Sequence, residues 1–303
     1  MKSLYESLLD DFEDIEKAQN SDVILDYINT FYKNIEKSGL VLKFDDESGL
    51  YLVSYKCNRR ISACENISTL TNELFKWDVV ESCFDCSLCD NLVNLEGAPR
   101  VVYGGFNCED CGNLISLKGA PEEVYREFNC IACEKLISLE GAPKKVEGNF
   151  TCVGCSNLKS LKGAPEEVSG SFFCSSCHSL TSLEGAPKKV GSFICSHCNN
   201  LKNFKGVPKE VKNNFTCSFC IGLKDLKYSP KMVGGEFNCI KCSSLISLKG
   251  APKKVGRNFN CSYCSKLASF EGAPEEIGGK FIGINCATKD TMCLGSVKIS
   301  IEV

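Results

Sequence analysis

From about residue 84 onward the apolar positions of the chain recur in one arrangement. A unit such as 124–143 sets Val124, Phe128, Cys130, Cys133, Leu136 and Leu139 in the order V-x-x-x-F-x-C-x-x-C-x-x-L-x-x-L, followed by Gly141, Ala142 and Pro143. Within F-x-C the alternation sends Phe and the first cysteine to one face of a short strand and the residue between them to the other. The second cysteine falls where the chain turns out of the strand, and the two leucines cover the core from the next edge. Gly-Ala-Pro stops a helix, because proline has no N–H to donate and pushes the residue before it toward extended backbone. The pattern predicts a coil of short strands with helix-free returns.

The CxxC pairs begin at Cys86, Cys108, Cys130, Cys152, Cys174, Cys195, Cys217, Cys239 and Cys261, a period of 22 residues that is once 21. A period in this range marks a solenoid in which each unit buries its apolar face only against its neighbours. The expected fold class is mainly β, a single-strand-per-turn solenoid of 22-residue repeats over residues 57–290. Ile61, Cys64, Ile67 and Leu70 fit a degenerate turn upstream, and Phe281, Gly283 and Cys286 one downstream. Residues 1–56 read as an α+β cap. Leu4, Leu8, Leu9, Phe12 and Ile15 share one helical face, Val23 to Ile35 a second, with Ser21 as N-cap and Gly39 as stop. Two strands, Leu40 to Phe44 and Leu50 to Tyr55, then flank a turn at Asp45–Gly49. The alternation of Val297, Ile299, Ile301 and Val303 predicts a capping strand within 291–303.

F-x-C-x-x-C-x-x-L resembles the L-x-L-x-x-[N/C]-x-x-L consensus of leucine-rich repeats, over about residues 57 to 290. The L-x-S-L-x-G-A-P segment resembles the short, helix-free repeats of bacterial effector-type proteins. MKSLYESLLDD together with units such as SLEGAPKKV resembles leucine-rich-repeat proteins encoded by phages of gut bacteria, and the acidic opening, residues 1–12, is similar in style to targeting sequences of phage internal proteins. The resemblance implies a non-catalytic scaffold for protein–protein interaction, phage virion-associated or host-interacting, with the second cysteine in the column where such repeats stack Asn or Cys as a hydrogen-bonding ladder. Phe204 and Phe270 depart from the second Leu, Val207 from Ala, and Tyr228-Ser229-Pro230 from Gly-Ala-Pro.

The 23 cysteines change the picture of the core. Acidic residues stand where a secretory signal has its apolar stretch, and the cysteine count is odd, so a disulfide framework is not expected. The expected place is intracellular, in a bacterial cytoplasm or a virion, with reduced thiols. Small buried thiols suit a narrow coil. The alternative is zinc held by the thiolate pairs Cys86 and Cys89, Cys108 and Cys111, Cys130 and Cys133, Cys152 and Cys155, Cys174 and Cys177, Cys195 and Cys198, Cys217 and Cys220, Cys239 and Cys242, and Cys261 and Cys264. Against it, Ile61 and Gly283 replace the first cysteine while Cys64 and Cys286 keep the second, so the two positions vary separately. No cofactor is expected.

Charge is uneven behind a net −3: residues 1–56 carry net −6 and 199–258 net +9. After Pro the pairs alternate, Glu122-Glu123, Lys144-Lys145, Glu166-Glu167, Lys188-Lys189, and then the alternation fails. Lys205, Lys209, Lys227, Lys231, Lys249, Lys253 and Lys254 are left largely uncompensated, the edge for an acidic partner. No aromatic recurs among them, which disfavours nucleic acid. On the outward side of the strand, small polar residues give way to Phe173 and Ile194 on adjacent turns, with Ile131 and Val153 beside them, a candidate patch for a protein partner. No run of apolar residues is long enough for a membrane span. His178 and His197 occupy different repeat positions, and no phosphate-binding loop, zinc-protease or nucleophile-elbow motif is present, so no enzyme is expected.

Overall fold

A computed structural model describes residues 40–45, 50–55, 59–60, 70 and 75–288. Its organising element is the F-x dipeptide of every turn, from Phe84–Asp85 to Phe281–Ile282, each paired in parallel with the next so that Phe lies on Phe. A second parallel ladder runs through the valines, such as Val102 on Val124 and Val146 on Val168. Successive turns of such a stack are about 4.8 Å apart. Seventeen strands join into one sheet and four into another.

One missing residue explains the break between the sheets. Most turns have three residues between Val and Phe, and a bend there splits the expected strand into two dipeptides. Val190 and Phe193 are separated by only two residues, the origin of the single 21-residue spacing. That turn is therefore one unbroken strand, Lys189–Ile194, and its neighbour Glu167–Phe173 straightens beside it with an irregularity between Val168 and Ser171. Beyond it the valine ladder restarts as the separate sheet Glu210–Val211, Met232–Val233, Lys254–Val255 and Glu276–Ile277.

The core is a set of columns. Ten phenylalanines from Phe84 to Phe281 stack with centroids 5.1 to 5.7 Å apart and nearly parallel rings, each contact worth about 0.5–1.5 kcal/mol beyond area burial. Both cysteines and both leucines of the full repeats are buried beside them. The Phe departures fit: Phe204 and Phe270 meet Phe215 and Phe281 edge-on at 5.1 and 5.0 Å. Gly283, in the first-cysteine slot, leaves room for Phe270, whose ring would lie 2.6 Å from an added Cβ. The turn glycine is demanded by geometry. Gly163 has φ +86, and a Cβ there would come within 2.4 Å of Glu140 Cα in the preceding turn.

At the N-terminal end Leu40–Asp45 and Leu50–Tyr55 pair antiparallel, and the second lies parallel to Phe75–Val80. Arg59–Arg60 pairs with Phe84–Asp85, which puts Arg59 in the Phe slot of the degenerate turn. Leu70 is buried and donates its N–H to Glu96 O, as the second leucine of later turns does. Ile61, Cys64 and Ile67, both expected helices, the stretch 1–12 and the strand within 291–303 lie outside the described residues. No helix is long and apolar enough to cross a membrane among the described residues.

Candidate functional site

The two cysteines of a turn do different work. From Cys111 on, each second cysteine turns its thiol back onto the preceding turn: Cys111 donates to Cys86 O, Cys133 to Cys108 O and Cys155 to Cys130 O, each at 3.2 Å, and the series runs to Cys286 on Cys261 O at 3.1 Å. The first-cysteine carbonyl receives no backbone N–H among the described residues, so the thiol is its donor. The first cysteine has a redundant bond. Cys130 Sγ lies 3.3 Å from Thr151 O, which already takes the Cys130 N–H at 2.8 Å.

This column is built by a left-handed residue just before the second cysteine, which reverses the chain. Glycine fills that place once, at Gly154; the others include Leu88, Ala132, Ser176, His197, Phe219, Lys241 and Tyr263, with φ between 54 and 60°. Nothing in the sequence pattern announced this, because side chains other than Gly or Asn rarely adopt it. Their side chains make an outer rim on which His197 stacks on Phe219 at 4.4 Å and Lys241 lies over both the Phe219 and Tyr263 rings.

Burial pushes the Cys86, Cys174 and Cys198 thiols well up, and hydrogen bonding to Cys155 together with burial does the same to Cys130. A metal at these sulfurs would have to displace the thiol protons and the hydrogen bonds they make. Among the described residues no three His, Cys, Asp or Glu side chains are placed to hold a metal ion. Cys286 differs: it is half-buried, and a hydrogen bond from Cys261 lowers its thiol to about 7.

On the strand face most outward polar residues have structural duties. Asp85, Asn107, Asn129, Asn238 and Asn260 each accept the N–H two residues on, closing the turn into CxxC. Phe173 and Ile194 replace that device and pair directly across neighbouring strands. Ile131 and Val153, one column over, belong to neighbouring turns, linked through the Ala132 N–H to Val153 O bond. All four are half-buried. The structure thus gathers them on one face of four consecutive turns.

The lysine edge is more compensated than its sequence window suggests. Lys205 pairs with Glu184 at 2.6 Å, Lys227 with Asp225 at 3.2 Å, Lys253 with Glu275 at 3.5 Å and Lys254 with Glu276 at 2.7 Å. For Lys205, Lys253 and Lys254 the cause is in-register stacking, which brings in Glu184, Glu275 and Glu276 from the turns before and after residues 199–258; Lys227 is paired within its own turn. Lys209, Lys231 and Lys249 are exposed and have no acid within 4.0 Å among the described residues. Earlier turns stack opposite charges, Lys188 on Glu166 and Lys189 on Glu167. A second ladder, Glu96 with Lys118 and Glu140 with Lys162, runs before the turn glycine. Such exposed pairs contribute about 0–1 kcal/mol each.

These features define a leucine-rich-repeat-like β-solenoid. Among solved structures, a leucine-rich repeat protein from Bacteroides ovatus is similar at 16% identity, over 81% of this chain and 89% of its own, with a TM-score of 0.28. At that score the superposition bears on nothing below, and the fold rests on the strand pairings themselves. No protein-family model matches the chain, and no curated protein does.

Proposed function

We propose that the chain is a non-catalytic scaffold for protein–protein interaction, its contact centred on Ile131, Val153, Phe173 and Ile194. One observation carries this reading: in the column where Asp or Asn closes five turns and Thr151 and Thr216 stay small and polar, Phe173 and Ile194 on adjacent strands set apolar surface on the face instead. Apolar surface so placed on an open sheet is more simply explained by a contact outside the fold. Buried columns of Phe, Cys and Leu fill the core of the described turns, as a scaffold requires, and the thiols suit a reducing compartment, a bacterial cytoplasm or a virion. The likeness of MKSLYESLLDD and the SLEGAPKKV units to phage-encoded proteins points to a partner on the virion or in the host.

The test uses the wild type and a Phe173→Ser/Ile194→Ser double variant as baits against virion and host-cell extracts, with thermal unfolding as the folding control. A partner held stoichiometrically by the wild type and lost by the folded variant is the expected result. Equal recovery on both baits would overturn the reading.

A further inference from the structure

A different edge of the solenoid, away from the strand face, carries its own signal. The residue two before the turn proline is glycine in eight of nine turns, with φ between 85 and 100°, as at Gly206 and Gly250. In the ninth it is Tyr228, held at φ 65°. A side chain is doubly disfavoured here. It occupies the left-handed region, which costs a non-glycine residue free energy, and a Cβ at the neighbouring glycines would meet the preceding turn's backbone, for Gly250 the Lys227 Cα at 2.8 Å. The stack gives way accordingly. The N–H of Phe204 reaches Lys227 O at 3.3 Å, where the matching bonds from Leu139, Leu161, Leu183 and Leu226 to turns with glycine run from 2.9 to 3.1 Å.

The disfavoured tyrosine is also the most exposed of the large apolar and aromatic side chains among the described residues, at 62%. The equivalent positions on both sides are Gly206 and Gly250, which present no side chain to cover its ring. No ring contact or side-chain hydrogen bond involves Tyr228 among the described residues. Around it stand two columns of lysine on three successive turns, Lys205, Lys227 and Lys249 before the turn and Lys209, Lys231 and Lys253 after it. Backbone bonds tie these turns side by side, Lys231 N–H to Lys209 O at 2.6 Å and Lys253 N–H to Lys231 O at 2.9 Å. Of the acids nearby, Glu184, Asp225 and Glu275 are in ion pairs, and neither Glu210 beside Lys209 nor Glu271 one turn beyond Lys249 comes within 4.0 Å of a lysine among the described residues, so Lys209, Lys231 and Lys249 remain open to an anion.

We infer that this edge is a binding site for single-stranded nucleic acid, with one base stacked on Tyr228 and the phosphates along the two lysine columns. A cationic track beside an uncovered aromatic ring is the combination that single-strand binders use, the cations following the backbone and the ring taking a base face. An acidic peptide would need the lysines but not the ring, and a duplex offers its base faces only at its ends. Only one turn carries the tyrosine, which is why no periodic aromatic signal marks the site.

The experiment is fluorescence anisotropy of the full chain with a labelled single-stranded oligonucleotide of about 12 nucleotides, a length typical of such modules. An abasic strand of equal length and polyglutamate serve as competitors. The expected result is binding that weakens at least about fivefold in Tyr228→Gly, the low end for loss of one stacked base. That variant restores the repeat's own glycine, so its unfolding midpoint should stay level or rise. Replacing Lys209, Lys231 and Lys249 with Gln should reduce the log–log salt slope by about 2. No binding of the oligonucleotide overturns the inference. So does equal competition by polyglutamate or the abasic strand with Tyr228→Gly unaffected, which would make the edge a site for acidic polymers alone.

Discussion

The cysteine columns allow a comparison in which residue type, burial and substitution are the same and only one hydrogen bond differs. Cys130 and Cys155 are both fully buried. Cys155→Ala removes the thiol that donates to Cys130 O at 3.2 Å, a carbonyl with no backbone donor among the described residues. Cys130→Ala removes a thiol whose acceptor, Thr151 O, keeps the Cys130 N–H. The packing loss is common to both, about 1 kcal/mol for a group near the size of a methylene. Leaving a buried acceptor unsatisfied adds about 1–3 kcal/mol. Cys130→Ala should therefore cost about 1 kcal/mol and Cys155→Ala about 2–4 kcal/mol. Cys155→Ser, which keeps a donor, should fall below Cys155→Ala. The assay is urea unfolding followed by far-ultraviolet circular dichroism under reductant, with slopes checked for equality so that midpoints report stability. If the two alanine variants are equally stable, or if serine at 155 is worse than alanine, the second cysteine is a small apolar filler and the ladder argument fails.

Two further outcomes follow from the same columns. Phe150 lies between Phe128 at 5.1 Å and Phe172 at 5.3 Å, so Phe150→Ala should cost about 3–5 kcal/mol; a loss under about 1.5 kcal/mol in urea melts would mean the stack is not a close-packed core. Cys286, with its thiol lowered to about 7 by the hydrogen bond from Cys261, is half thiolate near neutrality, so its alkylation rate should rise with pH and reach half its plateau near pH 7. Peptide mapping after brief iodoacetamide treatment should find it modified while the buried ladder cysteines react only on unfolding, and a half-plateau near 9, where an ordinary thiol titrates, would refute the assignment.

The solenoid was legible because its period is written many times over. Phe, two cysteines and two leucines at constant offsets leave one arrangement that buries them all, and Gly-Ala-Pro excludes a helical return. The same repetition hid the sites. Whether Asn129 or Asn238 is a contact or a turn-closing acceptor cannot be read from its identity, and only the placed N–H of the second residue on shows that these side chains close the turn. The lysine edge is uncompensated within residues 199–258 alone because Glu184 and Glu275 stand outside that stretch. Tyr228 read as a local departure, and its meaning came from φ and exposure.

What the sequence alone determined, then, is everything that depends on period and on side-chain volume: the parallel stack, the composition of its core and the absence of helix from its repeats. What only the tertiary structure decided is what depends on contacts between turns: which carbonyl each thiol satisfies, which lysines keep an acid, where the deletion at Val190–Phe193 divides the valine ladder, and how far a side chain stands clear of the surface. The physical reason is that burial is repeated once per turn and so leaves a periodic trace, whereas hydrogen bonds, ion pairs and backbone strain are set between residues about 22 positions apart, and nothing local in the chain records them.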